Sequence, residues 1–284
     1  MMYQPNYFFK TLFFSFTLLL FISSRTINTP DDALVAHWTF DDEVNMALDN
    51  SRFQSNGVLK GSPKQAPGVV GNGCLELDGK DDYVEILKSG KTPSQFHNLK
   101  QGSISIWFKA RSIPKVTSIS PLLYYGNANG CENMLDASNE GLVIEVAHGT
   151  IRKESQGVYF TVFNNPCKLP TLCFDTHSEP HLEDTKGIVK QNEWYHFVAI
   201  VGKDYNTGYL NGEEIDFRHY NFSNADASQF FGGALSHDRM WFGKSFWDYG
   251  KETYFDGFID DVRIYNVPLD SKQVKNLYDM RTGN

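Results

Sequence analysis

Gly257-Phe258-Ile259-Asp260-Asp261-Val262-Arg263-Ile264-Tyr265-Asn266 closes a long series of similar stretches. Residues 258–265 are rich in Val, Ile, Phe and Tyr, the residue types that fit a pleated, half-buried surface. The run predicts a strand with two consecutive carboxylates at its centre. Working outward from it, comparable runs occupy residues 74–77, 83–86, 103–108, 141–146, 157–163, 195–201 and 240–242. Near the start, Ala36, Trp38 and Phe40 alternate with His37, Thr39 and Asp41, the period of two of a half-buried strand. Gly, Asn, Asp and Pro separate the runs, so the chain reads as all-β, an antiparallel β-sandwich without a domain break.

Turn chemistry supports this. Asn211-Gly212 after Tyr209-Leu210 and Asp78-Gly79 are pairs that accept the positive φ of a tight hairpin. The one good helical pattern is terminal, where Leu269, Val274, Leu277 and Tyr278 accompany Asp270 and Ser271 as capping residues. Residues 113–139 and 164–191 read as loops and hold three of the four cysteines. Trp38, Trp107 and Trp194 sit in strand patterns and are expected in the core.

With 284 residues, 41% hydrophobic and 21% charged, the composition is that of a packed globular chain. A net charge of -8 and the lack of a basic run exclude a nucleic-acid partner, because phosphate binding needs clustered Lys and Arg. Residues 1–24 read as a signal peptide: Lys10, an apolar stretch over residues 12–22, then Ser23 and Ser24. About a dozen apolar residues fall short of the roughly 20 that span a bilayer. Cleavage is expected to leave a linker at residues 25–32 and one sandwich domain at residues 33–284, exported and without membrane insertion. In an oxidising compartment Cys74, Cys131, Cys167 and Cys173 are free to pair. A disulfide bond between Cys167 and Cys173 would close a local loop, while Cys74, inside an apolar strand pattern, also reads as a buried free thiol.

Leu34-Val35-Ala36-His37-Trp38-Thr39-Phe40-Asp41-Asp42 resembles the opening strand of laminin-G-like domains of the concanavalin A-like jelly-roll type. The similarity continues, in order, through Gly71-Asn72-Gly73-Cys74-Leu75-Glu76-Leu77-Asp78-Gly79, Asp82-Tyr83-Val84, Ser103-Ile104-Ser105-Ile106-Trp107-Phe108, Trp194-Tyr195-His196-Phe197-Val198-Ala199 and Tyr209-Leu210-Asn211-Gly212. The closing segment 257–266 is the most specific match. The resemblance implies a lectin-like, carbohydrate-binding role and a structural Ca²⁺ between the first and last strands, held by Asp41 and Asp260 with Asp49 and Asn56 as further ligands. Asp261 is the alternative to Asp260, since strand alternation turns only one of the pair toward the ion.

For ligand contact, two aromatic pairs stand out: Trp247 and Tyr249 between two strands, and Tyr124 and Tyr125 before Gly126. The expected partner is a carbohydrate or polysaccharide; a protein surface is the second possibility. A glycan-cleaving hydrolase or lyase on the same fold is the third. Glu214-Ile215-Asp216-Phe217 resembles the start of a retaining-glucanase strand, but position 219 is His where the pattern needs a third acid. His177 and His181, near Glu179 and Glu183, read as a solvated loop before a metal site.

Overall fold

The computed structural model describes residues 32–86, 92–114, 119–126, 141–148, 156–163, 172–174, 189–215, 229–234, 237–247 and 251–281. The expected signal peptide, Cys131 and Cys167 lie outside the described residues. In chain order the strands are β1 (Leu34–Trp38), β2 (Gly57–Lys60), β3 (Lys64–Pro67), β4 (Gly73–Asp78), β5 (Tyr83–Ile86), β6 (Gly102–Ala110), β7 (Ile119–Gly126), β8 (Gly141–His148) and β9 (Gln156–Phe163). They continue as β10 (Leu172–Phe174), β11 (Tyr195–Gly202), β12 (Tyr205–Leu210), β13 (Glu213–Glu214), β14 (Arg239–Phe242), β15 (Lys244–Trp247), β16 (Lys251–Tyr254) and β17 (Asp256–Tyr265). A single helix, α1 (Ser271–Tyr278), follows.

One sheet runs β13-β12-β11-β6-β17-β4-β3, with β1 also paired to β17; the other runs β10-β9-β8-β7-β14-β5-β2. All the pairings are antiparallel, and the first strand lies on the last, Trp38 opposite Val262. The core between the sheets joins Ile104, Ile106 and Phe108 of β6 and Phe197 of β11 to Leu123, Tyr125, Ile144, Phe160 and Phe242 of the facing sheet. This is the sandwich that the alternating runs predict. Trp38 is fully buried, meets Phe242 edge-on at 4.9 Å and donates from Nε1 to Ser55 O at 3.1 Å.

Helix α1 caps the outer face of the first sheet. Asp270 and Gln273 form a reciprocal capping box, and Val274 and Leu277 pack on Val198, Ile200 and Tyr209. Residues 113–139 are not all loop: they contain β7, which is buried at every position. An edge or half-exposed strand alternates, but β7 is covered on both faces and so carries a continuous apolar run, Leu122-Leu123-Tyr124-Tyr125. Likewise residues 164–191 contain β10, and residues 244–247, read as loop from position 245, form β15.

Cys74 is a buried free thiol whose Sγ donates to Pro67 O at 3.3 Å. Burial, with Asp260 nearby, pushes the thiol up to about 12, in keeping with the buried free-thiol reading of Cys74. Cys173 lies opposite Thr161 on β10.

Trp38→Ala should lower stability by about 3–5 kcal/mol, since it opens a large cavity and strands the Ser55 carbonyl. A urea melt that shifts by less than about 1 kcal/mol would show that Trp38 is not a core keystone.

Candidate functional site

Asp41 and Asp260 come from opposite ends of the chain and grip the same loop, residues 68–73. Asp41 Oδ1 accepts from Asn72 N at 2.5 Å and Gly73 N at 2.7 Å. Asp260 Oδ2 accepts from Val69 N at 2.8 Å and Val70 N at 3.0 Å. The approach is close enough to require glycine: a Cβ on Gly71, which has φ +70°, would lie 2.5 Å from Asp41 Oδ2. A Cβ on Gly68 would lie 2.5 Å from Gly73 O and 2.8 Å from Asp260 Oδ2.

The backbone is strained at both carboxylates. Phe40, just before Asp41, has φ 59°, and Asp261, just after Asp260, has φ 44°, a region costly for side chains other than Gly and Asn. The strain at Asp261 coincides with a bulge, since the β17–β6 register shifts between Asp260 and Arg263. The bulge buries two adjacent carboxylates in different surroundings. Asp261 takes the side chains of His37, at 2.7 Å, and Arg263, at 3.0 Å. Burial opposes its charge, but the His37 hydrogen bond and the Arg263 charge outweigh that and hold the carboxyl below the usual range.

Asp260 has no such partner. It is 0% exposed, and its Oδ1 is buried without a hydrogen bond among the described residues. Burial pushes its carboxyl up to about 8, against the Val70 and Val69 N–H groups that favour the charged form. A buried oxygen with nothing to bind is a costly feature.

Asp49 and Asn56 do not join this pair. Asp49 Oδ1 accepts from His37 N and Ser51 N, and Oδ2 from Ser51 Oγ and Ser55 N, all within 3.0 Å. Asn56 Oδ1 accepts from Asp49 N at 2.9 Å. Four protein donors already use the Asp49 carboxylate, which makes it the organiser of the turn into β2. Of the four residues expected as ligands, Asp41 and Asp260 meet one loop, while Asp49 and Asn56 lie in a separate turn. Among the described residues, the acidic group whose ligand atoms all lie within 4.8 Å is Asp78, Asp81 and Asp82, on the turn between β4 and β5.

The aromatic expectations divide. Tyr125 points into the core, where its Oη hydrogen-bonds His237 Nδ1 at 2.6 Å. Tyr124 lies on the outer face of the second sheet but is only 4% exposed, stacked 5.5 Å from Trp241 and edge-on to Phe246. Neither offers an open ring face, because the β15–β16 hairpin folds over that side. Lys244 pins the hairpin: its Nζ sits 4.6 Å from the Tyr83 ring, 4.9 Å from Trp241 and 5.3 Å from Tyr254, and reaches Glu252 at 2.6 Å. Trp247 ends β15 opposite Lys251, at the free end of this hairpin; Tyr249 lies outside the described residues. Trp38 and Trp107 are core, while half-buried Trp194 stands on the outside beneath Lys109.

Two features have a catalytic appearance. Ser105 Oγ and His196 Nε2 lie 2.8 Å apart, a nucleophile–base distance. Both are fully buried, and His196 is stacked between Ser105 and the Trp107–Tyr278 rings under α1. Glu214, from the glucanase-like stretch, is exposed on β13 and accepts from Thr207 Oγ1 at 2.6 Å; Asp216 lies outside the described residues, as do His177, Glu179, His181 and Glu183.

Two stacked antiparallel sheets, a last strand that pairs with the first, and a terminal helix define a jelly-roll sandwich architecture. The chain belongs to the concanavalin A-like lectin/glucanases superfamily, whose laminin-G-type family model matches residues 78–275. No curated protein matches the sequence. Among solved structures, it is similar to domain 4 of AbnA, a GH43 extracellular arabinanase from Geobacillus stearothermophilus, in complex with arabinotriose. That match has 19% identity and TM-score 0.56, over 86% of this chain and 98% of that one. A botulinum neurotoxin type C structure, described by its interaction with two ganglioside molecules, matches at 14% identity and TM-score 0.59, over 88% of this chain and 51% of that one. The binding domain of botulinum neurotoxin DC, in complex with rat synaptotagmin II, matches at 13% identity and TM-score 0.59, over 88% and 52%. This chain thus spans about half of each neurotoxin chain. Among the described residues no helix is long and apolar enough to cross a membrane.

Burial holds His196 down to about 3 from 6.5, despite the nearby Asp261 charge that favours the imidazolium. The unfolded chain therefore binds this proton more readily, and stability that is complete above pH 6.5 is lost as pH falls toward 3. His196→Gln should give a shallower acid limb of melting temperature against pH. A limb of unchanged slope would mean that His196 does not titrate on unfolding.

Proposed function

We propose that this chain is an exported, calcium-stabilised, non-catalytic carbohydrate-binding domain. Its jelly roll is of the kind that carries arabinotriose in the arabinanase domain and is linked to gangliosides in the neurotoxin, and this likeness, over nearly all of the arabinanase domain, carries the carbohydrate reading. Trp247, which ends β15, and Tyr249, two residues further along the sequence, are the rings proposed for stacking on sugar faces. The non-catalytic part is supported, for the carboxylates Glu85 and Glu145, by their spacing. On the outer face of the second sheet, Glu85 of β5 and Glu145 of β8 are separated by β14 and β7, three strand spacings or roughly 14 Å. Glycosidase carboxylates stand about 5–9.5 Å apart. Glu85 is also tied to Lys60 at 3.2 Å and to Trp241 Nε1 at 3.3 Å.

Calcium fits the Asp41–Asp260 loop. The unpaired, buried Oδ1 of Asp260 is the oxygen a hard cation would take, and Asp41 and backbone carbonyls such as Phe40 O and Gly73 O stand beside the same glycines. When bound, the ion would supply charge for the Asp260 carboxylate, which burial otherwise penalises, and would fix the loop between the first and last strands. The protein-binding alternative has its own observation: Val44, Val58 and Leu59 are exposed apolar residues on and beside the edge strand β2.

Glycan-array binding by the secreted protein, without release of reducing ends from the bound glycans, is the expected result, and Trp247→Ala should weaken it about tenfold, a loss of about 1.4 kcal/mol. Product release, or binding only to a protein and insensitive to sugar, would replace this reading.

Removal of calcium by chelator should lower the melting temperature. At a hundred times the dissociation constant the ion contributes about 2.7 kcal/mol, or roughly 5–10 °C for a domain of this size. Asp41→Ala and Asp260→Ala should each abolish most of the shift, whereas Asp81→Ala should preserve it. If Asp81→Ala abolishes it instead, the ion sits on the β4–β5 turn; if chelator changes nothing, there is no stabilising ion.

A further inference from the structure

The turn between β11 and β12, the segment ahead of β6 and the residues around the one-turn 3-10 helix at Phe231–Gly233 enclose a cleft of about 690 Å³. Its size is that of a ligand site and not of a packing defect. Gly232 N donates to Leu99 O at 2.7 Å, which locks two of its walls together. The third wall is a two-residue hairpin: Gly202 pairs with Tyr205, leaving Lys203 and Asp204 at the turn, with Asp204 in the left-handed region at φ 62°. Asp tolerates this conformation, so both charged side chains are held at the cleft by the tight turn.

The lining has a definite chemistry. Asn98, Gln101 and Asn266 bring three exposed side-chain amides, none of them hydrogen-bonded among the described residues. Lys100 and Lys203 are exposed and without an ion-pair partner among the described residues. Asp204 adds one carboxylate. Next to Asp204 in the chain, Tyr205 is 46% exposed, its ring laid so closely on cleft-lining Gly202 that a Cβ there would lie 2.0 Å from the ring. Amides and a carboxylate match vicinal hydroxyls, and an aromatic face matches the C–H side of a pyranose. Two free lysines against one aspartate leave the cleft net positive in a chain of net charge -8. A phosphate-rich ligand would meet Asp204 with two or more charges; a single carboxylate would not.

We propose that this cleft binds a saccharide bearing a carboxylate, with Lys100 and Lys203 on the acid, the amides and Asp204 on hydroxyls, and Tyr205 against the ring. The assignment rests on the carbohydrate-binding reading above and gives it a ligand class and a second place of contact, apart from the β15–β16 hairpin. Calorimetry on the full secreted protein tests it with two carboxylated probes, trigalacturonate and 3′-sialyllactose, beside their uncharged counterparts, galactotriose and lactose. At least one acidic probe should bind about tenfold tighter than its counterpart, with the advantage shrinking as salt is raised. Lys100→Ala/Lys203→Ala should bring the acidic probe down to its counterpart's affinity, Tyr205→Ala should weaken both, and Lys80→Ala, which removes an exposed cation on the distant β4–β5 turn, should change neither. Melting temperatures within a degree or two of wild type show that the variants are folded. Acidic-probe binding that survives the double lysine substitution overturns the cleft and leaves the carbohydrate-binding reading standing. Equal affinity for acidic and uncharged probes overturns the ligand class. Binding to no saccharide on the array overturns both readings together.

Discussion

The pairing of β17 with both β1 and β6 is the constraint on which the rest depends. This central strand takes the first strand on one stretch and β4 on another, so the first and last strands share a single ladder. The bulge at Asp260 and Asp261 lets the same strand bury two neighbouring carboxylates. One is paired inside the protein with Arg263 and hydrogen-bonded to His37; the other keeps an oxygen without a partner among the described residues. Strand alternation alone would have exposed one of them.

How much of this was legible follows the physics of each element. Strands with one covered and one half-covered face, such as β1, β4 and β5, announced themselves by alternation, and the cap of α1 was visible at Asp270, though not its reciprocal partner Gln273. β7 was hidden because its second face is covered by a hairpin that is itself irregular in sequence, with Ser245 between Lys244 and Phe246. Tyr124 therefore looked like a loop aromatic and proved to be wedged between Trp241 and Phe246. Asp41 and Asp260 were legible as a pair from the ends of the chain, but Asp49 was not separable from them: only the four donors converging on it reveal a turn organiser. The end cleft had no signal at all, since its walls come from residues about 98–101, 202–204, 229–233 and 266, each an ordinary polar stretch.

The two outer faces of the sandwich are closed by different means. On the first sheet, α1 brings apolar side chains and a stacked Trp107–Tyr278 pair over polar Ser103 and Ser105, whose hydroxyls are taken up by Val267 O, Leu269 N and His196. On the second, the closure is cationic: Lys244 sits among Tyr83, Trp241 and Tyr254 and is neutralised by Glu252. Ring quadrupoles favour the ammonium there, and the hairpin acquires a fixed seat without a large apolar surface of its own.

Cys74 carries a consequence for oxidative folding. Once β3 docks on β4, its sulfur is enclosed, bonded to Pro67 and kept as the neutral thiol, and only a thiolate takes part in exchange. Three cysteines then remain, an odd number, so a single chain can close at most one bridge. A chain that met oxidant before that edge formed would still present Cys74 to a bridge that the docked strand shuts off.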